Sequence, residues 1–257
     1  MATASARLEL IALPGFPLVG QGDDLCRLVV EGVAWAGVEF QDGDVVVLAQ
    51  KIVSKAEGRL VDLAAIEPST EAKTLAGQVL KDPRLVELVL RESRRVVRAR
   101  PHVLIVEHRL GLIMANAGID QSNIDADGRE MALLLPQDPD ASAESLRARL
   151  YQASGAAVGV VINDSFGRPW RRGTTGTAIG AAGLPALIDR RGDPDLFGRA
   201  LQITQIGHAD EIAAAASLLM GPADEGRPVV LLRGLTWRAP PNPAAALLRP
   251  EAEDLFR

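Results

Sequence analysis

The apolar positions of this chain alternate between short continuous runs and stretches with a helical period. Residues 8–13 form the first run, closed by Pro14-Gly15, and are expected to be a strand. A loop from Phe16 to Gln21 follows. Asp23 and Asp24 then stand where a helix N-cap is wanted, ahead of an apolar stretch reaching Ala36. Val45–Ala49 is a five-residue apolar run behind the turn Asp42-Gly43-Asp44, the signature of a strand buried on both faces. Residues 50–58 after it are polar and are expected to be a loop. Helical periodicity covers 69–81 and 83–98, interrupted at Pro83. Val103–Val106 and Leu110–Ala115 read as two strands joined by a tight turn at His108-Arg109, followed by the polar, turn-rich stretch 116–123. An amphipathic helix over 142–153 stops at Gly155, and Ala157–Ile162 is a further strand. Residues 167–183, rich in Gly, Thr and Arg, carry no periodic signal. Asp210 opens an Ala-rich helix ending at Met220-Gly221; a loop over 222–227 leads to the strand Pro228–Leu232, and the tail from Arg238 is Pro-rich with a short helix-like end.

Strands and helices alternate irregularly, with a hairpin among them. This favours an α/β or α+β fold built on a mixed sheet with flanking helices over a regular doubly wound one. With 257 residues, no internal repeat and no clear linker, the chain is expected to be one domain over 1–257 with room for two subdomains. Its 47% hydrophobic and 24% charged residues exclude a disordered chain or a coiled coil. A formal charge of −5 gives no global attraction to nucleic acid or anionic lipid, so neither is expected as a partner. No apolar run reaches the roughly 20 residues of a membrane span, and residues 1–7 lack the order of a signal peptide. The lone Cys26 excludes an intrachain disulfide and fits a reducing, cytoplasmic setting.

The basic residues are 24 Arg and only 4 Lys, yet Lys51 and Lys55 share a five-residue window. A compact ammonium differs from a guanidinium fork, and its clustering either marks a site or is chance on a solvated face. Arg94, Arg95, Arg98 and Arg100 resemble a nucleic-acid patch but lack interleaved aromatics, so a solvated helix face is the reading adopted. The P-loop, dinucleotide, nucleophile-elbow and zinc-protease motifs are missing. The three histidines, His102, His108 and His208, are scattered. Any metal is therefore expected on oxygen ligands, which selects Mg²⁺ or Mn²⁺.

Three strand-like runs end in small polar clusters: Gln50, Lys51, Ser54 and Lys55; Asn116, Asp120, Ser122 and Asn123; Asn163, Asp164 and Ser165. If the strands are neighbours, these ends converge on one sheet edge. Carboxylates with a hydroxyl suit a hard dication and ammoniums suit phosphate, a combination for handling a nucleoside triphosphate without a P-loop. The plain alternative is that Asp and Asn are turn residues here. The block 165–177 adds three Arg, one Trp and three Thr in thirteen residues. Arg168, Arg171 and Arg172 can grip carboxylates or phosphates bidentately. Trp170 either stacks on a planar ring or packs ordinarily. The loop Met220, Gly221, Pro222, Ala223, Asp224, Glu225, Gly226, Arg227 is either a plain connection or a source of backbone and acidic groups.

Five stretches then carry a resemblance: 15–19 (GFPLV), 43–59 (GDVVVLAQKIVSKAEGR), 116–123 (NAGIDQSN), 163–173 (NDSFGRPWRRG) and 209–216 (ADEIAAAA). In this order and spacing they resemble the coenzyme F420-0:L-glutamate ligase (F420:gamma-glutamyl ligase) family. The tail 248–256 resembles the ligase domain of bacterial members, some of which continue into a flavin-binding reductase-like domain; this chain is expected to be the stand-alone ligase domain. The resemblance implies a family-specific mixed α/β fold and an intertwined homodimer. It implies GTP as co-substrate, two divalent ions (Mg²⁺ or Mn²⁺), K⁺ as a monovalent activator, and L-glutamate and a deazaflavin coenzyme precursor as substrates. By motif position, Asp120, Asp164 and Ser165 fall on metal ligands. Phe16, Pro17, Leu18, Val19, Gln50, Lys55, Asn123 and the 220–227 loop fall on the GTP site, to which the adjacent Lys51 is assigned as well. Lys55, Arg168 and Arg171 are the catalytic candidates. Two positions depart from the family pattern: Pro222 stands where archaeal members carry a Gln metal ligand, and Gln50 where Ser is common. These departures keep open a related amide ligase acting on another acid; a GTP-binding protein without turnover is a further alternative.

Overall fold

The structure, a computed structural model, describes residues 6–123 and 128–254. The end of the tail motif, Leu255 and Phe256, lies outside the described residues. In chain order the main elements are β1 (Glu9–Ala12), α1 (Leu25–Trp35), β2 (Val45–Ala49), α2 (Gln50–Ala56), β3 (Leu60–Asp62), α3 (Thr70–Val79), α4 (Pro83–Arg91), β4 (Ser93–Arg100), β5 (Val103–His108), β6 (Ile113–Ala115), β7 (Met131–Leu133), α5 (Pro139–Ser154), β8 (Gly159–Arg168), β9 (Arg171–Ala182), β10 (Ile188–Asp189), β11 (Gln205–Ile206), α6 (His208–Met220) and β12 (Val229–Arg233). The chain divides into two compact units, Met1–Leu18 with Asp24–Gln50 and Asp138–Arg257, and Val19–Asp23 with Lys51–Gln137.

The first unit is built on a five-stranded mixed sheet of order β1-β12-β2-β8-β9. β2 runs parallel to β8, and the other pairings are antiparallel. Val45 and Val47 pack with Val161, Val230, Leu232 and the inner face of α6, including Ile212 and Ala216. Val46 and Leu48 are equally buried, so β2 is covered on both faces, as a continuous apolar run demands. Two glycines let helices approach β9 closely. A Cβ at Gly176 would lie 2.4 Å from the Ala213 carbonyl oxygen of α6, and one at Gly180 would lie 2.4 Å from that of Pro139 in α5. Buried Asp44, just before β2, takes a two-pronged ion pair from Arg233 at the end of β12, at 2.9 and 2.8 Å.

The second unit carries a three-stranded sheet, β4-β5-β6, and the short pair β3-β7. Its core gathers Val86 and Val89 of α4, Ala72 and Val79 of α3, Leu104 and Val106 of β5, and Ala132. Glu92 is the hub of its polar interior. Oε2 receives Arg59 and Arg109, each at 3.0 Å, and His108 Nε2 lies 3.5 Å away. Arg59 also donates to the Leu135 carbonyl and Arg109 to those of Gln137 and Pro136. Burial works to raise the Glu92 pKa; the His108 contact and the two guanidinium groups outweigh it and push it down to about 2.

Several segments differ from the pattern-based expectation. Residues 50–56 are helical rather than a loop, so Lys51 and Lys55 stand one turn apart on α2. The helix expected over 83–98 ends at Arg91. Residues 93–100 form β4, whose positions 94–100 are all exposed, so no buried face imposed a period. Arg94, Arg95, Arg98 and Arg100 therefore lie on a sheet-edge strand, not a helix face. The strand expected to stop at Ile162 runs on to Arg168 and pairs with β9, which occupies the aperiodic Gly/Thr/Arg stretch.

Candidate functional site

Helical spacing puts Lys51 and Lys55 on one face of α2, and both reach the segment 120–123 of the same unit. Lys51 Nζ lies 2.7 Å from Asp120 Oδ2 and 2.9 Å from Ser122 Oγ. Lys55 Nζ donates to the Asn123 carbonyl at 2.8 Å. Asp120 is fixed from its backbone: it exchanges both hydrogen bonds with Leu133 at the end of β7, at 3.0 and 2.8 Å. Its Oδ1 accepts the Ser122 N–H at 2.7 Å. The turn that delivers it, Asn116-Ala117-Gly118, holds three successive residues at positive φ (51°, 54° and 66°), with Ala117 fully buried. Left-handed backbone at a buried alanine is held only where its surroundings over-determine it, and the segment's start is thereby rigid. Burial raises the Asp120 pKa, while Lys51 and the Ser122 N–H and hydroxyl more than compensate and hold it below the ordinary carboxylate value. Asp120 is thus an ionised acceptor held by an ammonium and a backbone N–H.

In the other unit, β2 supports β8 only as far as Asn163, which pairs with Ala49. Beyond that residue β8 continues as a two-stranded arm with β9. At the root of the arm β9 bulges: Ile162 faces Gly180 and Asn163 faces Ala178. A bulge frees backbone N–H groups, and side chains take them here. Asn163 Oδ1 accepts from Thr177 at 3.0 Å, and Asp210 Oδ1, from the first turn of α6, accepts from Ala178 at 2.9 Å. Buried Asn163 also donates to Met220 Sδ. Burial raises the Asp210 pKa, partly opposed by the Ala178 N–H. Asn163, grouped by the sequence with the chemical residues, therefore works in the fold, and so does Asp210, whose partner lies 32 residues away.

The next residues on β8 face outward. Asp164 is half-buried, its Oδ1 accepting the Ser165 N–H at 2.8 Å, and Ser165 is exposed. Along the arm, Arg168, Arg171 and Arg172 are all exposed. Trp170 at the tip is 88% exposed with φ +66°, so it is not an ordinary packing residue.

The remaining candidates have mixed settings. Phe16 is half-buried and Pro17 and Leu18 exposed, while Val19 is buried. Gln50, at the β2–α2 junction, is buried. The 220–227 loop starts at Gly221 with φ +70°, where a Cβ would collide with the Glu225 carboxyl. Glu225 instead folds back to accept the Ala223 N–H at 2.9 Å, giving a compact exposed loop that displays Pro222, Asp224, Gly226 and Arg227. Among the described residues, no group of three or more His, Cys, Asp or Glu side chains gathers as a metal cluster, and no helix is long and apolar enough to cross a membrane.

Comparison with known proteins gives this geometry a context. Residues 15–234 match the family described as F420-0:Gamma-glutamyl ligase. A protein named Coenzyme F420:L-glutamate ligase from Methanothermobacter thermautotrophicus is 46% identical over 252 residues, covering 97% of this chain and 99% of that one. Proteins of the same name from Methanopyrus kandleri and Archaeoglobus fulgidus are 48% and 43% identical over 243 and 252 residues, with 93% or more of each chain covered. Similarity of this depth across nearly the full length leads to one conclusion: the chain belongs to the F420-0:gamma-glutamyl ligase family.

Proposed function

We propose that this chain is a GTP-dependent amide ligase that joins L-glutamate to the deazaflavin coenzyme precursor F420-0, and adds further glutamates through γ-linkages. The observation that carries the reading is family membership along almost the whole chain, with two lysines, an ionised aspartate and a serine gathered at 51–55 and 120–123.

A carboxylate is a poor electrophile and needs a better leaving group before an amine can attack it. The terminal carboxylate of the precursor's lactyl arm attacks the γ-phosphorus of GTP, forming an acyl phosphate as the bond to GDP breaks. The α-amine of glutamate then displaces phosphate. Lys55, with Lys51, neutralises charge developing on the phosphate oxygens. Gln50, Asn123, Phe16–Val19 and the 220–227 loop hold the nucleotide. Arg168 and Arg171, with Arg172, grip the carboxylates of glutamate or precursor through bidentate contacts. Asp120, Asp164 and Ser165 are all-oxygen donors and suit Mg²⁺ or Mn²⁺, and such ions screen the phosphate charge when bound. The proposal includes K⁺ as an activator, an intertwined homodimer as the working state, and the cytoplasm as its setting.

The test mixes protein, precursor, GTP, Mn²⁺ and glutamate, and follows GDP release and precursor mass. The reading expects stoichiometric GDP and a mass gain of one glutamate or more; no GDP and no mass gain would refute it. Gln50 and Pro222 favour one further arm, a panel of other acids and of ATP. Turnover there but not with F420-0 would make the chain a related ligase. Nucleotide binding without turnover on any substrate would make it a non-catalytic binder.

A further inference from the structure

The two oxygens of Asp120 are engaged by partners of different kinds. Oδ1 accepts a backbone N–H, that of Ser122, which cannot leave without remaking the loop. Oδ2 faces the Lys51 ammonium at 2.7 Å, and that ammonium is also 2.9 Å from Ser122 Oγ. An ammonium on a flexible four-carbon stem exchanges readily, and the Lys51 side chain keeps 26% of its surface in solvent. We propose that Lys51 is a resident counter-ion that competes with a divalent cation for Asp120 and so sets the affinity of this position for the cation. The inference rests on the reading of Asp120 as a metal ligand.

The physical reason is the cost of a partly buried, unpaired carboxylate. Lys51 offsets that cost when it is the partner at Oδ2. A dication offsets it too, but ammonium and dication cannot share Oδ2 without strong like-charge repulsion at a few ångströms. Binding one displaces the other. A displaced Lys51 remains on the α2 face that also carries Lys55, so the exchange turns a carboxylate partner into a second cation available to phosphate oxygens. Cation binding and phosphate binding are then coupled through one side chain, and the coupling is reciprocal.

The experiment measures Mn²⁺ binding directly, by electron paramagnetic resonance of free Mn²⁺ with no nucleotide or acid present. It uses the full chain as wild type, Lys51→Met, Lys51→Arg and Asp120→Asn. Lys51→Met is expected to bind Mn²⁺ about tenfold more tightly than wild type, the worth of one charge-assisted hydrogen bond. Lys51→Arg, which keeps the charge, is expected to stay within about twofold of wild type, and Asp120→Asn to lose the wild-type binding. Equal or weaker binding by Lys51→Met, with wild-type binding intact and Asp120-dependent, overturns the competition and leaves Asp120 as a ligand. Binding that Asp120→Asn does not alter removes Asp120 from the metal site and overturns both readings.

Discussion

Glu92 offers a measurement in which structure sets both sign and size. Its side chain is 12% exposed and holds two arginines and His108, with its pKa pushed from 4.5 to about 2. Holding the carboxylate this far below its ordinary value contributes on the order of 3 kcal/mol of stability at pH 7. Because the folded value is the lower one, that contribution is complete above the unfolded value and fades as pH falls from about 4.5 towards 2. By linkage a substantial part of it is already lost at pH 3.5. Glu92→Gln removes the titrating group and leaves Arg59 and Arg109 without their anion. Urea unfolding of wild type and variant at pH 7, 4.5 and 3.5 is the assay. The variant is expected to be less stable by at least about 3 kcal/mol at pH 7. The gap is expected to narrow by on the order of 1 kcal/mol at pH 3.5. A gap that stays constant across these pH values refutes the argument, whatever its size. The result also bears on the site. Arg59 follows the helix that bears Lys51 and Lys55, and its main-chain carbonyl accepts from Leu134, the neighbour of the Leu133 that fixes Asp120. The ionic hub thus clamps both halves of the 51–123 cluster.

Two further outcomes follow from the first unit. Asp164→Asn keeps an acceptor for the Ser165 N–H and so is expected to leave thermal unfolding within about 0.5 kcal/mol of wild type. It should abolish ligase activity and Mn²⁺-dependent GTP binding; full activity in the variant would remove Asp164 from the metal site. Gly176→Ala forces a methyl to 2.4 Å from the Ala213 carbonyl and 2.8 Å from Asn163 Oδ1. Its expected cost is about 1–3 kcal/mol, seen as a lowered thermal midpoint. An unchanged midpoint would show that α6 can back away from β9 at no cost.

Much of the fold was legible where local chemistry and tertiary setting agree. Val45–Ala49 is apolar at every position because both its faces are covered, and a turn precedes it. Asp24 caps its helix through the N–H group of Arg27, as an Asp before a helical stretch announces. The misread segments are those fixed by distant partners. β4 is exposed from Arg94 to Arg100, and only its ladder with β5 makes it a strand. β9 looks like loop because of its glycines, yet Gly176 and Gly180 are small so that helices can lie against them. At the site, residue types identified the candidates well before their geometry did. Lys51 and Lys55 stand out as rare lysines, but the polar character of 50–58 hides the helix face they share. Asp210 carried no chemical signal, since its role is to serve an N–H freed by a bulge that no local pattern reveals.

The β8–β9 arm leaves the sheet after Asn163 and turns at Pro169-Trp170. Side chains along such a ribbon alternate in direction, so its length is constrained by parity. Inserting one residue in each strand would carry Arg168 and Arg171 to the opposite side of the ribbon. Inserting two in each would restore their direction and extend their reach by roughly 7 Å. The hairpin can therefore grow only in steps of four residues if Arg168 and Arg171 are to keep their direction, with the bulge at its base and the positions of Asp164 and Ser165 untouched.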